Sequence, residues 1–211
     1  MEFWNDQATD RSWNILIKLA KKYKFVLIGD WACYLHTGTI KSKDIDIIVD
    51  FETLNQMKKE FLITKTAFLK KYEAIVENIS IDIYVPYFSK LVIPLDYIQK
   101  NTIKKEGIEL PKPEILLILK QQAELERRDK VKGQKDRVDI LNILLKGNID
   151  MKKYFFLVKK YNLEDYVKRL QTIIRTSKIE FEYLGILNPR TIKLIKKKLM
   201  KDFTIGKLSV N

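Results

Sequence analysis

Three aspartates in this sequence stand where aspartate is unusual. Asp44 and Asp46 belong to the segment Asp-Ile-Asp-Ile-Ile-Val, and Asp82 belongs to Ile-Ser-Ile-Asp-Ile-Tyr-Val. Both segments have the period-two pattern of β-strands. Strands normally contain little aspartate, because its side chain competes with the backbone for hydrogen bonds. The chemistry that such carboxylates offer is the binding of hard cations such as Mg²⁺ or Mn²⁺.

The strand pattern also predicts how these carboxylates are arranged. Alternate residues share one face of a strand, about 6.6 Å apart, so Asp44 and Asp46 would lie side by side. If the strand of Asp82 is a neighbour, the three carboxylates converge and repel one another unless cations neutralise them. Two Mg²⁺ ions about 4 Å apart would do so, and would clamp the attacking and leaving oxygens of a displacement at phosphorus. The alternative is an amphipathic strand whose solvent face happens to carry aspartate.

The scarcity of cysteine and histidine excludes other classes of site. Cys33 is the only cysteine and His36 the only histidine. An intrachain disulfide, a cysteine-based zinc site and a Ser–His–Asp triad are therefore excluded or poorly supported. We expect Cys33 to be a small buried residue and His36 to be packed or to lie at a helix end.

A turn glycine precedes the aspartate pair. The segment at 25–28 is a short apolar strand that ends at Gly29, and the residues at 31–36 suit a short helix that stops at Gly38. The N-terminus of a helix exposes free N–H groups and attracts phosphate. A glycine before that helix would allow a triphosphate to approach the main chain closely.

The elements that position these residues divide the chain into an α/β part and a helical part. We predict an α/β (α+β) fold, with a small mixed sheet in residues 1–108 followed by a helical C-terminal module in residues 109–211. A connector rich in proline, residues 109–113, joins the two parts. The predicted strands are 25–28, 44–49, 72–76, 79–85 and 91–94, and the predicted helices are 10–24, 31–36, 53–61, 114–129, 136–145, 151–161, 163–176 and 189–202.

Charge is distributed unevenly between the two parts. Residues 1–100 carry 14 Lys/Arg and 13 Asp/Glu, whereas residues 101–211 carry 26 and 14, within a total net charge of +13. A basic half suggests an anionic partner such as RNA, although a solvated lysine-rich surface explains the same composition. Because no apolar stretch is long enough for a membrane span and the first residues do not resemble a signal peptide, we expect a cytoplasmic protein without membrane association.

Together these segments resemble the DNA polymerase β-like nucleotidyltransferase superfamily. Its signature is a hydrophobic residue followed by Gly and Gly or Ser, then about a dozen residues later Asp-hydrophobic-[Asp/Glu], with a third carboxylate on a later strand. The resemblance is greatest to a small bacterial and archaeal branch that includes abortive-infection and toxin-type nucleotidyltransferases. It covers residues 25–145 in order, and it includes the helical segment Pro-Glu-Ile-Leu-Leu-Ile-Leu-Lys that ends at Lys120. Residues 150–211 match nothing in the family.

The resemblance implies roles for individual residues. Asp44 and Asp46 would bind two Mg²⁺ ions, with Mn²⁺ as a substitute, and Asp82 would be the third carboxylate, which helps to deprotonate the acceptor hydroxyl. Gly29 and the turn after it would hold the β- and γ-phosphates of a nucleoside triphosphate such as ATP. Asp30 departs from the family pattern of Gly or Ser. It would repel the triphosphate unless it turns away, caps the helix or binds a cation, and we expect it to cap the helix.

Several lysines and a later acidic segment complete the comparison. Lys43 and Lys120 would offset triphosphate charge, although a solvated side chain is the favoured explanation of Lys43. Lys135, Asp136 and Asp139 match a family segment, but a helix cap with a solvated face would also explain them, with Asp136 in the first turn of its helix. Arg127 and Arg128 could face the nucleotide, but we expect them at the surface.

The expected reaction is transfer of a nucleoside monophosphate from a nucleoside triphosphate to an acceptor hydroxyl, with release of pyrophosphate. The acceptor is left open between tRNA or other RNA, a protein side chain and a small molecule. The alternative function is a nucleotidyltransferase-fold binding module without turnover, either antitoxin-like or RNA-binding, which acts together with a partner protein.

Overall fold

A computed structural model describes residues 6–128 and 130–208 of the chain. These residues form two compact units, of which one ends at Lys112 and the other begins at Pro113. The first unit contains a seven-stranded mixed sheet with helices, and the second is built from helices. The predicted fold class, a mixed α/β sheet followed by a helical region, is confirmed.

The α/β unit alternates helices and strands in its first half and then continues with strand hairpins. Its helices are α1 (Asp6–Lys22), α2 (Gly29–Thr37), α3 (Phe51–Met57) and α4 (Leu95–Lys100). Its strands are β1 (Val26–Ile28), β2 (Ile45–Ile48), β3 (Ile63–Thr66), β4 (Lys71–Val76), β5 (Ile79–Tyr84), β6 (Thr102–Lys105) and β7 (Ile108–Pro111).

The sheet places the strands that carry aspartate next to each other. Its strand order is β3-β4-β5-β2-β1-β7-β6. Strands β2 and β5 are parallel neighbours, as are β1 and β7, and the remaining pairs are antiparallel. The apolar residues that alternate with the aspartates, Ile45, Ile47, Ile81 and Ile83, are completely buried and form the centre of the core.

Two hairpins extend the sheet, and one of them differs from the sequence-based expectation. Strands β6 and β7 form a hairpin where a connector was expected, and β7 pairs with β1. The two residues between β6 and β7, Glu106 and Gly107, both have positive φ, which is the geometry of a tight two-residue hairpin turn. The predicted strand at 91–94 is wrong. Pro94 instead caps the N-terminus of α4, where its missing N–H costs nothing.

A buried hydrogen bond fixes α2 against α1. Trp31 of α2 is 1% exposed, and its indole Nε1 donates a 2.8 Å hydrogen bond to Oγ of the fully buried Ser12. The Trp31 ring also packs on Trp13 and Tyr34, with centroids 5.0 and 5.4 Å away. At the other end of α2, Gly38 adopts φ +69° and donates its N–H to Tyr34 O, so the predicted glycine stop is confirmed. The beginning of α2 is therefore held firmly at the end of β1.

The second unit is an array of six helices in its described residues. They are α5 (Pro113–Arg127), α6 (Val131–Lys146), α7 (Met151–Lys160), α8 (Glu164–Thr176), α9 (Ile179–Tyr183) and α10 (Pro189–Leu208). The five helices predicted for this part are present, and α9 is an addition. The end predicted for the first of them, at residue 129, lies outside the described residues. No helix in the part of the chain that the structure describes is long and apolar enough to cross a membrane.

Aromatic packing and buried polar contacts hold the helical unit together. The rings of Tyr154, Phe155 and Phe203 pack on one another with centroid distances of 5.5 to 6.2 Å. The Tyr154 hydroxyl donates to Gln121 at 2.9 Å, and its burial raises the pKa of that phenol well above the usual range. Because the buried hydroxyl has a partner, the cluster avoids the free-energy cost of an unsatisfied polar group.

Candidate active site

A row of carboxylates crosses one face of the sheet. In the register of the parallel pair β2 and β5, Asp46 lies opposite Asp82. In the antiparallel pair β4 and β5, Glu73 lies opposite the same Asp82. Residues directly opposite each other in a sheet point to the same face, and neighbouring strands are about 4.8 Å apart. The structure therefore aligns three acidic side chains on adjacent strands.

Asp44 adds a fourth carboxylate at the end of this row. It comes immediately before β2 and two residues before Asp46, so it lies on the same face. Its negative charge contributes to raising the pKa of Asp82, which places it within electrostatic reach of that carboxylate. Its position is fixed by Ser42, a buried residue whose hydroxyl donates a 2.9 Å hydrogen bond to the Asp44 main-chain oxygen.

Asp82 is the most constrained of these carboxylates. Its Oδ2 accepts a hydrogen bond from the Lys71 ammonium group, and the two side chains are 18% and 14% exposed. Its Oδ1 is buried and has no hydrogen-bond partner within residues 6–128 and 130–208. Burial is the main cause that raises the pKa of Asp82, Lys71 opposes it, and Glu73 and Asp44 add to it. A buried carboxylate oxygen without a partner costs folding free energy. A bound cation, or a proton donated by a ligand, would supply the missing partner.

Lys71 and Glu73 are site residues that the sequence analysis missed. They are alternate residues of β4, and Glu73 accepts a 2.8 Å hydrogen bond from the Ser80 hydroxyl. The alternation in Lys-Tyr-Glu-Ala-Ile-Val was visible in the sequence and indicated a strand. Only the pairing of β4 with β5 brings its polar face beside Asp82.

Gly29 lies directly against Asp46. It has φ +68°, and a Cβ at this position would lie 2.8 Å from the carboxyl carbon of Asp46 and 3.0 Å from its Cβ, with a carboxylate oxygen closer still. Ile28, the residue before it, pairs with Asp46 across β1 and β2. Both the backbone conformation and the space therefore require glycine here, and the turn that begins α2 touches the carboxylate row.

Asp30 does not cap α2, contrary to expectation. The N-cap position belongs to Ile28, the helix begins at Gly29, and Asp30 lies in the first turn. A carboxylate in the first turn interacts favourably with the helix dipole without occupying the cap. The predicted helix start at residue 31 is thus two residues too late, because the glycine forms part of the helix.

The two predicted phosphate-binding lysines lie in different units. Lys43 is a half-buried neighbour of Asp44 in the α/β unit. Lys120 belongs to α5 of the helical unit, is 3% exposed, and donates to Asp139 Oδ2 at 2.8 Å and to Asp136 Oδ1 at 3.4 Å. Their contact with a nucleotide stays a prediction.

The acidic segment of α6 is buried, so its interpretation as a solvated face is wrong. Asp136 and Asp139 are each 1% exposed and Lys135 is 3% exposed. Arg127, whose side chain is 35% exposed, donates two hydrogen bonds to Asp136, at 2.6 and 2.9 Å, and Lys135 lies 3.3 Å from Asp139. Asp136 is also not in the first helical turn, because α6 begins at Val131. Because an unpaired charge in the interior costs several kcal/mol of folding free energy, these buried carboxylates are paired with lysine and arginine.

His36 and Cys33 have the packed roles expected of them. His36 is 7% exposed, its Nε2 lies 3.0 Å from Pro111 O, and burial lowers its pKa to about 4. The ring is therefore neutral at pH 7, which makes its Nε2 the hydrogen-bond donor. Cys33 is 1% exposed.

The comparisons with known proteins concern the fold. No known protein family matches the sequence, and no curated protein matches it. The chain is similar to the crystal structure of an antigenic nucleotidyltransferase-like protein from Paracoccidioides brasiliensis, with 16% sequence identity, a TM-score of 0.42, and coverage of 82% of this chain and 94% of that one. It is also similar to the crystal structure of JHP933 from Helicobacter pylori, with 18% identity, a TM-score of 0.46, and coverage of 97% and 99%. The similarity spans most of the chain at low sequence identity.

Proposed function

We propose that this protein is a metal-dependent nucleotidyltransferase that moves a nucleoside monophosphate from a nucleoside triphosphate to an acceptor hydroxyl. The observation that carries the proposal is the register of β2 and β5, which places Asp46 opposite Asp82 with Asp44 beside them. Three carboxylates on one face, beside a glycine turn that opens a helix, combine a cation site with a phosphate site.

The donor set suits two Mg²⁺ ions, with Mn²⁺ as a substitute. All the candidate ligands on Asp44, Asp46 and Asp82 are carboxylate oxygens, the ligands that hard cations prefer. Asp82 Oδ1, which has no hydrogen-bond partner in the described part of the chain, is available to one of the ions. When bound, the ions would neutralise the carboxylates and the triphosphate and polarise the reacting phosphoryl group.

The residues of the chain would then act by positioning and by proton transfer. The backbone N–H groups of the first turn of α2, beginning at Gly29, would hold the β- and γ-phosphates. The acceptor oxygen would form a bond to the α-phosphorus as the bond to pyrophosphate breaks. The proton of that hydroxyl would pass to the Asp82 carboxylate oxygen that does not bind an ion. Lys43 would offset the charge of the triphosphate.

One observation favours a second candidate, a nucleotide-binding module without turnover. The Lys71 ammonium group already bonds to Asp82 and gives the carboxylate row an internal counter-ion. An antitoxin-like or RNA-binding module, acting with a partner protein, would hold a nucleotide without transferring it. In such a module the ion pair between Lys71 and Asp82 can persist. In the proposed enzyme, Lys71 must release Asp82 when the cations bind.

The acceptor is a separate part of the proposal. RNA, including tRNA, fits the basic half of the chain, in which residues 101–211 hold 26 Lys/Arg against 14 Asp/Glu. A protein side chain and a small molecule are the other acceptors that the reaction would accommodate, and ATP is the first triphosphate to test.

The deciding experiment is a labelling assay. The full-length protein is incubated with each α-labelled nucleoside triphosphate, Mg²⁺, and total RNA or cell extract, and the products are digested separately with RNase and protease. We expect label in one acceptor class, its loss in Asp46→Asn, and its retention in Asp165→Asn, which removes a charge at an exposed side chain of the helical unit. Equal labelling by wild type and Asp46→Asn would refute the enzyme.

A metal-binding measurement separates the two candidates. Electron paramagnetic resonance of Mn²⁺ would count the ions bound per chain, and we expect Asp46→Asn but not Asp165→Asn to reduce the count. Mn²⁺ and ATP binding that depends on Asp46, together with an absence of labelled acceptor, would support the binding module in place of the enzyme.

A further inference from the structure

A group of rings and lysines lies at one edge of the sheet, and we call it the aromatic–lysine corner. It contains the exposed rings of Phe68, in the turn between β3 and β4, and Tyr87, the buried ring of Tyr72, the half-buried ring of Phe88, and the side chains of Lys58, Lys65 and Lys70. Phe68 is 93% exposed and Tyr87 is 91% exposed. Large aromatic side chains are usually mostly buried, and an exposed group of them marks a binding surface.

The lysines of the corner are arranged around its rings. The Nζ of Lys65 lies 4.4 Å from the centroid of Phe88, and that of Lys70 lies 5.8 Å from it. The Nζ of Lys58 lies 5.1 Å from the centroid of Tyr72, which packs on Phe88 at 5.1 Å. These distances are within the range of cation–π attraction. The rings therefore hold three ammonium groups together on a small surface.

The positive charges of the corner lie outside the ion pairs of the described residues. The three lysines are exposed, and none of them forms an ion pair with a carboxylate among residues 6–128 and 130–208. Like charges so close together repel one another, and an anion would relieve that repulsion. The corner is therefore complementary to a ligand with several negative charges.

The backbone conformation of Tyr87 also supports a binding surface at the corner. Tyr87 has φ +65°, a left-handed conformation that is strained for a bulky residue. Its ring is exposed, so burial of the ring does not offset that strain. Strained residues of this kind concentrate at ligand-binding positions.

The corner is connected to the carboxylate row through two short segments. Lys70 is followed by Lys71, which bonds to Asp82. On the other side, Tyr87 comes three residues after the end of β5 at Tyr84, and Asp82 lies two residues before that end. Five residues span at most about 18 Å, so a strand of nucleic acid held at the corner could reach the carboxylates with its end.

We propose that the aromatic–lysine corner binds single-stranded nucleic acid, with bases stacked on Phe68 and Tyr87 and phosphates beside Lys58, Lys65 and Lys70. Stacking platforms interleaved with lysines are the usual way to hold such strands without reading their sequence. An acidic peptide would use the lysines but leave the rings without a stacking partner. The corner would present a terminal hydroxyl of the strand as acceptor, and that part rests on the proposed nucleotidyltransferase function. The binding itself does not.

A binding measurement without metal or nucleotide tests the proposal. Fluorescence anisotropy of a labelled twelve-nucleotide single-stranded RNA is titrated with the full-length protein. We expect Phe68→Ala/Tyr87→Ala to weaken binding by at least about 5-fold, the effect of losing one stacked base. We expect Lys58→Gln/Lys65→Gln/Lys70→Gln to reduce the slope of log affinity against log salt by about 2, since three phosphate contacts would be lost.

The chain offers a matched control for these variants. Phe156 is 54% exposed in the helical unit, with Lys160 Nζ 6.0 Å from its ring centroid. We expect Phe156→Ala/Lys160→Gln to change RNA affinity less than 2-fold. An equal loss in this control, or unchanged affinity in Phe68→Ala/Tyr87→Ala, would overturn the assignment of the corner. So would an oligoglutamate peptide that binds as tightly as RNA with the same dependence on Phe68 and Tyr87.

The same variants separate this proposal from the proposed function. Asp44→Asn/Asp46→Asn should bind RNA with wild-type affinity while nucleotide transfer is lost. RNA binding that depends on the corner, in a protein that transfers no nucleotide, would refute the enzyme and leave the corner supported. Nucleotide transfer to RNA that is unaffected by the corner variants would overturn the corner and leave the enzyme supported.

Discussion

Replacement of Gly29 by alanine is the sharpest test of the contact between the turn that begins α2 and Asp46. Two effects are expected. The φ of +68° costs an L-residue about 1–2 kcal/mol. The added Cβ also meets the Asp46 carboxylate, whose carbon would lie 2.8 Å away, and overpacking of this kind costs about 1–3 kcal/mol. Together they should lower the free energy of unfolding by about 2–5 kcal/mol.

Gly38 supplies a matched control. It has nearly the same backbone conformation, φ +69°, but a Cβ there would meet nothing within 4 Å. Gly38→Ala should therefore show the backbone strain alone, about 1–2 kcal/mol. The difference between the two variants measures the collision with Asp46. The measurement is urea denaturation followed by tryptophan fluorescence, with the midpoint and slope fitted for each variant.

A double-mutant cycle identifies the colliding group. In an Asp46→Ala background, most of the carboxylate that the new Cβ would meet is absent, so Gly29→Ala should cost about as much as Gly38→Ala. Displacement of Asp46 should also abolish any rise in melting temperature with Mg²⁺ and ATP. Equal destabilisation by Gly29→Ala and Gly38→Ala, with unchanged thermal stabilisation by ATP, would refute the reasoning.

Three further predictions follow from the buried polar groups. Because burial holds the pKa of His36 near 4, below its unfolded value of about 6.5, the unfolded state binds more protons between these values. Stability should fall by about 3 kcal/mol as the pH drops from 7 to 4, and this part of the loss should disappear in His36→Gln. Lys71→Met removes the hydrogen bond to Asp82 and should lower the unfolding free energy by about 1.5–3 kcal/mol, and Mg²⁺ should raise the melting temperature of this variant more than that of wild type. Lys120→Met removes the cation 2.8 Å from Asp139 Oδ2 and leaves Lys135 at 3.3 Å, and it should cost about 1.5–3 kcal/mol, the contribution of a hydrogen bond to a charged group.

The controls for the lysine variants are the same Lys→Met substitutions at exposed positions. Lys90→Met and Lys193→Met remove exposed lysines, one from each unit, and should change stability by less than about 0.5 kcal/mol. A loss in Lys120→Met no larger than in Lys193→Met would contradict the burial of the ionic network. An unchanged dependence of stability on pH in His36→Gln would show that another group is responsible for it.

The local pattern predicted most of the elements and the faces of the key strands. Alternation in the segments around Asp46 and Asp82 identified β2 and β5, because side chains in a strand alternate between two faces. The end of α2 at Gly38 was also predicted from the local sequence, because the residue after a helix often adopts a left-handed conformation that favours glycine. Helices of the second unit followed from their apolar periodicity. The observed ends of these helices differ from the predicted ends by a few residues, because the first and last turns of a helix depend on packing.

Other elements could not be predicted from local patterns. Strands β6 and β7 are short and contain charged residues, and they become strands by pairing with each other and with β1. The charged residues of α6 looked suited to a solvated face, and it is the packing of the helical unit that buries Asp136 and Asp139 and pairs them with lysine and arginine. Sequence specifies the charge of a residue but not whether water reaches it.

Asp44, Asp46 and Asp82 show which properties of the site follow from the local sequence and which follow only from the tertiary structure. The sequence by itself determined that each lies in or beside a strand and shares a face with its neighbour two residues away. Only the tertiary structure decided that β2 and β5 are adjacent and parallel in the register that sets Asp46 opposite Asp82. It also brought Lys71, Glu73 and Gly29 to the same place. The physical reason is that strand pairing joins residues far apart in the chain through backbone hydrogen bonds, which every residue type can form.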